Sequence, residues 1–374
     1  MQRWVSVGLL FTPAAVVAKL LSLPQVLIFI LSAISVVPYA ILISTATGAL
    51  TKHIGAGFGG LLNATFGNAA ELIITCFAIH SGLVTLVKAS ITGSVVCNTL
   101  LILGTALLIG GIRHGRQRYN ARRTSITAAM MILAVGALYL PAIFATSVRD
   151  HARIEELSFA VSAVLLLTYV AFLSYTLFLR HPSTASSSEQ AMASGREMKA
   201  QGNRTARQTE ASTTDAASWS IGKALLVLAG AVVGIAVGSE IFVGAIESVT
   251  RKLGINELFV GIIVVPIIGN AAEYVTGVQM AWRNRLDVTI PVTAGSSTQI
   301  ALLVAPVLVF LSHPLGHPLD LVFTPLELGV LGLAVIIFAQ ISRDGESNWL
   351  EGVQLLALYL LAGFAFFFLP LGYA

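Results

Sequence analysis

Two carboxylates stand where a polypeptide rarely keeps charge: Glu71 and Glu273 each close the pentapeptide Gly-Asn-Ala-Ala-Glu, at 67–71 and 269–273, inside long apolar stretches. An ionised acid in hydrocarbon costs about 3 kcal/mol or more, so it implies a function and a partner, and each Glu is the natural partner of the other. Two facing carboxylates repel and titrate as a coupled pair. Protons relieve that repulsion, and so does a divalent cation, but not both at once. Asn68 and Asn270, about one helical turn before each acid on the same face, add amide oxygens. Gly67 and Gly269 loosen the helix there and can free main-chain carbonyls, giving the oxygen-rich surroundings that a hard cation takes. Ser94 and Asn98, and Ser296, Ser297, Thr298 and Gln299, lie at corresponding depth in the following spans and are further candidate ligands. No cluster of Cys and His accompanies them, which disfavours a soft-metal site.

The elements that must position these groups are membrane helices. With 56% hydrophobic and 11% charged residues, and a mean hydropathy of +0.85, the 374-residue chain has too little polar surface to enclose a water-soluble globule. Eleven stretches reach the length of a spanning helix, at 4–23, 25–46, 57–81, 83–110, 123–145, 156–179, 220–249, 258–282, 287–312, 324–342 and 349–373. They do not alternate polar with apolar residues as barrel strands do, so the expected fold is an all-α polytopic membrane protein.

Adding 202 to the numbering places 67–71 on 269–273, Gly93-Ser94 on Gly295-Ser296 and Leu100-Leu101 on Leu302-Leu303, without a gap. The chain reads as a duplication: an extra N-terminal helix (1–23), a first repeat (24–180), a linker (181–218) and a second repeat (219–374). Each repeat has five spans, an odd number, so the two enter the membrane from opposite faces and are inverted. Glu71 and Glu273 then sit near mid-bilayer, approached from opposite sides, and can meet. The linker, rich in Ser, Thr, Ala and Gln, is expected to be disordered and cytoplasmic.

The net charge of +4 does not make a nucleic-acid surface, because the basic residues fall in short connections between spans. Lys19, Lys88, Arg149, Arg153, Arg251 and Lys252 share one side, and the other 16 of the 22 share the side of the N-terminus. That bias places the N-terminus in the cytoplasm and the C-terminus outside, in a multi-pass protein of the cell's inner membrane, with no cleavable signal peptide. Cys76 and Cys97 lie in apolar helices and are not expected to pair. The glycines at 55–60 imitate a phosphate loop without the preceding strand, and His313 and His317 read as part of an external turn. Glu257 and Glu327 near helix starts are expected to complement the helix dipole. Glu247 and Glu240, two turns apart on one helix face, are candidates for passing protons to the central pair. A loose correspondence sets Glu247 against Gly48, leaving the first half without that acid.

The stretches 63–72, 264–273 and 295–302 resemble those of the cation/proton exchangers of the calcium/cation antiporter superfamily, a similarity that covers spans 2–11. The resemblance implies an eleven-helix fold, with Ca2+ export coupled to proton entry. It also implies that Glu71 and Glu273 form the shared cation and proton site beside Asn68 and Asn270. Two departures stand out: Gly48 occupies a position where the family tends to have Glu, and 181–218 lacks an acidic run that would support Ca2+-dependent regulation. The expected mechanism is alternating access between Ca2+-loaded and protonated states. Exchange of Na+, K+ or Mn2+ remains an alternative within carriers, and a cation channel is a rival, disfavoured because channels more often build their pores by ring symmetry among subunits. No cofactor is implied beyond Ca2+ as substrate, the other partners are H+ and the lipid bilayer, and a homo-oligomer is compatible with the sequence.

Overall fold

A computed structural model describes residues 2–54, 62, 65–178, 219–370 and 373. Thirteen helices are used here: α1 (Gln2–Gly8), α2 (Phe11–Leu20), α3 (Gln25–Ile54), α4 (Ala69–His80), α5 (Val84–His114), α6 (Ala121–Ser147), α7 (His151–Phe178), α8 (Ile221–Leu253), α9 (Glu257–Gly269), α10 (Ala271–Trp282), α11 (Leu286–Ser312), α12 (Pro325–Ile341) and α13 (Trp349–Phe367). Seven of them are long and apolar enough to cross a membrane, or eight if α9 and α10, bent by 61°, form one span. The linker at 181–218 and the glycine-rich 55–60 lie outside the described residues.

Four expected spans differ in detail, those at 57–81 and 258–282 because each breaks at its motif asparagine. The span at 4–23 is broken between α1 and α2, with Leu9 and Leu10 in a turn; Pro13, in the first turn of α2, has no N–H with which to carry the helix ladder back to Leu9. The stretch 324–342 forms the 17-residue α12, opened by a capping box in which Thr324 and Glu327 exchange bonds.

The chain leaves helical geometry at Asn68 (φ −103°, ψ 24°) and at Asn270 (φ −86°, ψ 19°), immediately before α4 and α10. These two helices are themselves 202 residues apart at both ends. Gly82 (φ 76°) and Asn284 (φ 58°), which follow them, take left-handed backbone at the same offset. α5 widens into a π-turn at Cys97–Ile102 and α11 into one at Ile300–Val304; a third lies in α9 at Val260–Val264. Such turns frequently mark functional positions.

The central helices are α5 and α11, with 72% and 67% of their apolar windows buried, against 28% for α7 and α13, which face outward. Around them α3 and α8 pack closely along each other: Gly238 leaves room for Ser35, Gly234 seats the Tyr39 ring, and Phe29 stacks on Phe242 at 4.9 Å. α2 covers that pair through Ala15 and Ala18 against Ile28, Ile241 and Ala245. At one end of the bundle the short strands Gln117–Arg118 and Glu346–Ser347 pair antiparallel. Beside them Tyr119 donates to the Ile341 carbonyl at 2.6 Å and Gln117 to Asn284 at 2.8 Å, joining the two halves of the chain.

Candidate cation site

Glu71 and Glu273 occupy the first turns of α4 and α10, where the exposed backbone N–H groups favour negative charge. They lie within electrostatic reach of each other. Glu71 is 2% exposed, and neither of its oxygens has a hydrogen-bond partner; Oε2 of Glu273 has none either. Buried oxygens in this condition are costly unless something else binds them. The carboxyl group of Glu71 rests on Gly269, where a Cβ would come within 3.1 Å of its Cδ.

Beside the acids a chain of side-chain bonds crosses between the two halves. Asn68 Nδ2 donates to Gln299 Oε1 (2.8 Å), and Ser296 Oγ donates to Asn68 Oδ1 (2.9 Å). Asn98 Nδ2 donates to Asn270 Oδ1 (2.9 Å) and to Ser296 Oγ (3.2 Å), leaving its own Oδ1 without a partner. Asn270 Nδ2 is tied to the Pro266 carbonyl at 2.9 Å. Each motif asparagine therefore has its amide oxygen held by a side chain from the helix that follows the other motif, and all these groups are buried except the half-buried Gln299.

Of the other candidates, Ser94 lies in α5 with its hydroxyl unpartnered. Ser297 and Thr298 instead bond the carbonyls of Thr293 and Ala294 in their own helix, and take no part in the network. Glu240 and Glu247 are exposed on α8, paired with Lys19 (3.6 Å) and Arg251 (2.5 Å), apart from the buried group. Gly48 faces open space on α3.

A cavity of about 400 Å³ reaches Glu273, Ser296 and Gln299 and passes Ser44 and Thr276. Its lining also includes Arg123 at the start of α6 and Asp287 at the start of α11. Glu71 is not on that lining. The sequence had pointed to none of Ser44, Thr276, Arg123 and Asp287 as site residues, because isolated hydroxyls and charges at helix ends carry no spacing signal. Cys97 was also missed: it is fully buried within electrostatic reach of both acids. The 202-residue offset, which sets it on Gln299, is the signal that could have found it.

The arrangement can hold one cation between two carboxylates and neighbouring amide oxygens, or two protons on the same carboxylates. The sequence profile of the family described as sodium/calcium exchanger protein matches residues 24–178 and 223–368. The chain is 40% identical to the Ca(2+)/H(+) antiporter of Aphanothece halophytica, over 97% of this chain and 95% of that one. It is 36% identical to the Ca(2+)/H(+) antiporter ChaA of Bacillus subtilis, over 96% of each. The fold superposes on the structure of native YfkE with a TM-score of 0.80 and 34% identity, covering 98% of both chains.

Proposed function

Because this chain belongs to the sodium/calcium exchanger protein family, we infer that it is a Ca2+/H+ antiporter, an integral multi-pass membrane protein that exchanges Ca2+ for protons. The observation that carries this reading is the pair Glu71 and Glu273, the first buried and the second half-buried on the cavity, within electrostatic reach of each other and short of hydrogen-bond partners. A pair of acids in that condition accepts either a divalent cation or protons, and the competition between the two couples their fluxes.

In this reading Ca2+ enters by the cavity, meets Glu273 first and is completed by Glu71, with Asn68 and Asn270 supplying amide oxygens. Ser296, Gln299 and Asn98 orient those amides, and Ser94 stands ready beyond them. Protons arriving from the opposite face neutralise both acids and release the ion, so the empty carrier returns protonated. Arg123 and Asp287 lie on the side of most basic residues, which supports a site open to the cytoplasm and Ca2+ export across the cell membrane. The matched bounds of α4 and α10, with matched π-turns in α5 and α11, support two inverted five-helix repeats and one extra N-terminal helix. Glu240 and Glu247, as exposed acids, would act only as a surface proton relay to the pair.

The test is transport by the purified chain in proteoliposomes with an imposed pH gradient, following Ca2+, Mn2+, Na+ and K+ with a pH dye in parallel. Ca2+ movement matched by opposite proton movement is the expected result. Ion flux without proton flux would instead identify a channel.

A further inference from the structure

The cavity is lined on one side by Glu273, Val292 and Ser296. Subtracting 202 from these numbers gives Glu71, Ser90 and Ser94, the same three stations in the first half. None of these lines the cavity. All three are at most 2% exposed, and the oxygens of Glu71 and the hydroxyls of Ser90 and Ser94 have no hydrogen-bond partner. Helical serines ordinarily satisfy themselves on their own backbone, as Ser297 does on Thr293. Three consecutive stations left unpaired along α5 and α4 form a polar row that matches, in the first half, the lining of the open cavity.

What packs against that row is equally specific. A Cβ at Gly93 would lie 2.5 Å from the Ile262 Cα, and one at Gly261 would lie 2.8 Å from the Leu86 carbonyl oxygen, so the π-turn of α9 presses its backbone onto α5. On the open side the counterpart of Gly93 is Gly295, which lines the cavity and has nothing within 4 Å of its Cβ position. The two halves thus differ at this station: Gly93 is packed against the backbone of α9, whereas Gly295 lines the cavity.

Resting on the exchange reading above, we propose that the second passage from the carboxylate pair to the opposite face runs along α5 past Ser94 and Ser90, and that the contact of Gly93 and Gly261 across α5 and α9 is the seal that opens it. The hydroxyls would replace part of the hydration shell of a divalent cation leaving Glu71. Gly93 and Gly261 are small because a backbone-to-backbone seam excludes water and leaves no side chain to be displaced when it parts.

The test uses the full chain with Cys76→Ser and Cys97→Ser, carrying either Ser90→Cys or Val292→Cys. Right-side-out and inside-out vesicles, under Ca2+ and pH gradients that drive cycling, receive a charged impermeant thiol reagent, with uptake corrected for the chain lacking the new cysteine. Ser90→Cys is expected to react only from the face opposite to the one that labels Val292→Cys. Adding Gly93→Ala or Gly261→Ala should raise the rate at Ser90→Cys about tenfold, because the seam can no longer close. Monodisperse elution of the same variants in detergent reports that they fold, and labelling of Val292→Cys should fall in them as the opposite face stays open. Reaction of Ser90→Cys from the same face as Val292→Cys, or from neither face while Val292→Cys reacts, would overturn the proposal. A lack of coupled Ca2+ and proton flux in the unmodified chain would remove the exchange reading, while the labelling pattern would still judge the passage.

Discussion

Glu71 carries its carboxyl group against Gly269, the residue that opens the other motif, so the two pentapeptides meet through an acid of one and the missing side chain of the other. A methyl group at Gly269 would stand 3.1 Å from Glu71 Cδ, whereas Gly67, at the matching position, has nothing within 4 Å. Gly269→Ala should therefore lower the initial rate of Ca2+ uptake about tenfold, and Gly67→Ala by clearly less. Equal losses in proteoliposome assays would show that the contact with Glu71 is not what the glycine protects.

Glu71→Gln and Glu273→Gln each remove a charge that binds the ion and a group that carries a proton. Either substitution should leave below about a tenth of the transport rate while the folded yield changes little, since an amide in the same place needs no counter-charge. In the unmodified chain, Ca2+ binding measured by calorimetry should weaken as pH falls, because protons neutralise the carboxylates that hold the ion. Binding that does not respond to pH would separate the proton site from the cation site.

Asn98 donates to both Asn270 and Ser296, so Asn98→Leu deprives two oxygens of one donor and frees the amide of Asn270 to turn. The Ca2+ concentration for half-maximal transport is expected to rise about fivefold, the effect on the site of losing the bond that holds the Asn270 amide. Ser297→Ala removes a hydroxyl that bonds only its own helix and should change it by less than about twofold.

Tyr119 lies outside the membrane helices, and burial, with Glu351 and Asp344 nearby, pushes its hydroxyl up to about 12. Its proton is thus held more tightly in the folded chain than in the unfolded one. Tyr119→Phe should cost about 1 kcal/mol near neutrality through the lost bond to Ile341. That difference should shrink as pH rises from about 10 through about 12, where the folded chain alone must keep the proton. Thermal unfolding of both proteins in detergent at several pH values checks it.

The acids, the asparagines and the 202-residue offset are legible in the chain because polar residues inside apolar runs need a reason to be there. The helix breaks are legible too, although they fall on Asn68 and Asn270 rather than on the glycines before them. What the letters do not carry is direction. Ser296 and Ser297 are neighbours of the same type, yet one turns its hydroxyl to Asn68 and the other to its own helix, a difference set by helical phase. Partner choice is equally hidden: the pairing of Glu240 with Lys19 depends on where α2 lies against α8. Glu327 is expected to complement a helix dipole, and it stands in the first turn of α12, but its capping box with Thr324 and its burial against Thr92 of α5 depend on how those segments pack.

The π-turn at Cys97–Ile102 sets the phase of a whole helix. In the first residues of the turn α5 presents Asn98 to the second motif; beyond it, Gly104 and Gly111 admit Gly352 and Trp349 of α13 into close contact. Removing one residue from the turn would restore ordinary α geometry and rotate everything on one side of it by about 100° relative to the other. The amide could then meet its partner, or the glycines theirs, but not both together. Residue count between Asn98 and Gly104 is therefore fixed more firmly than residue type: substitutions at Leu100 or Leu101 face only a packing test, while a single deletion or insertion there dismantles one interface to keep the other.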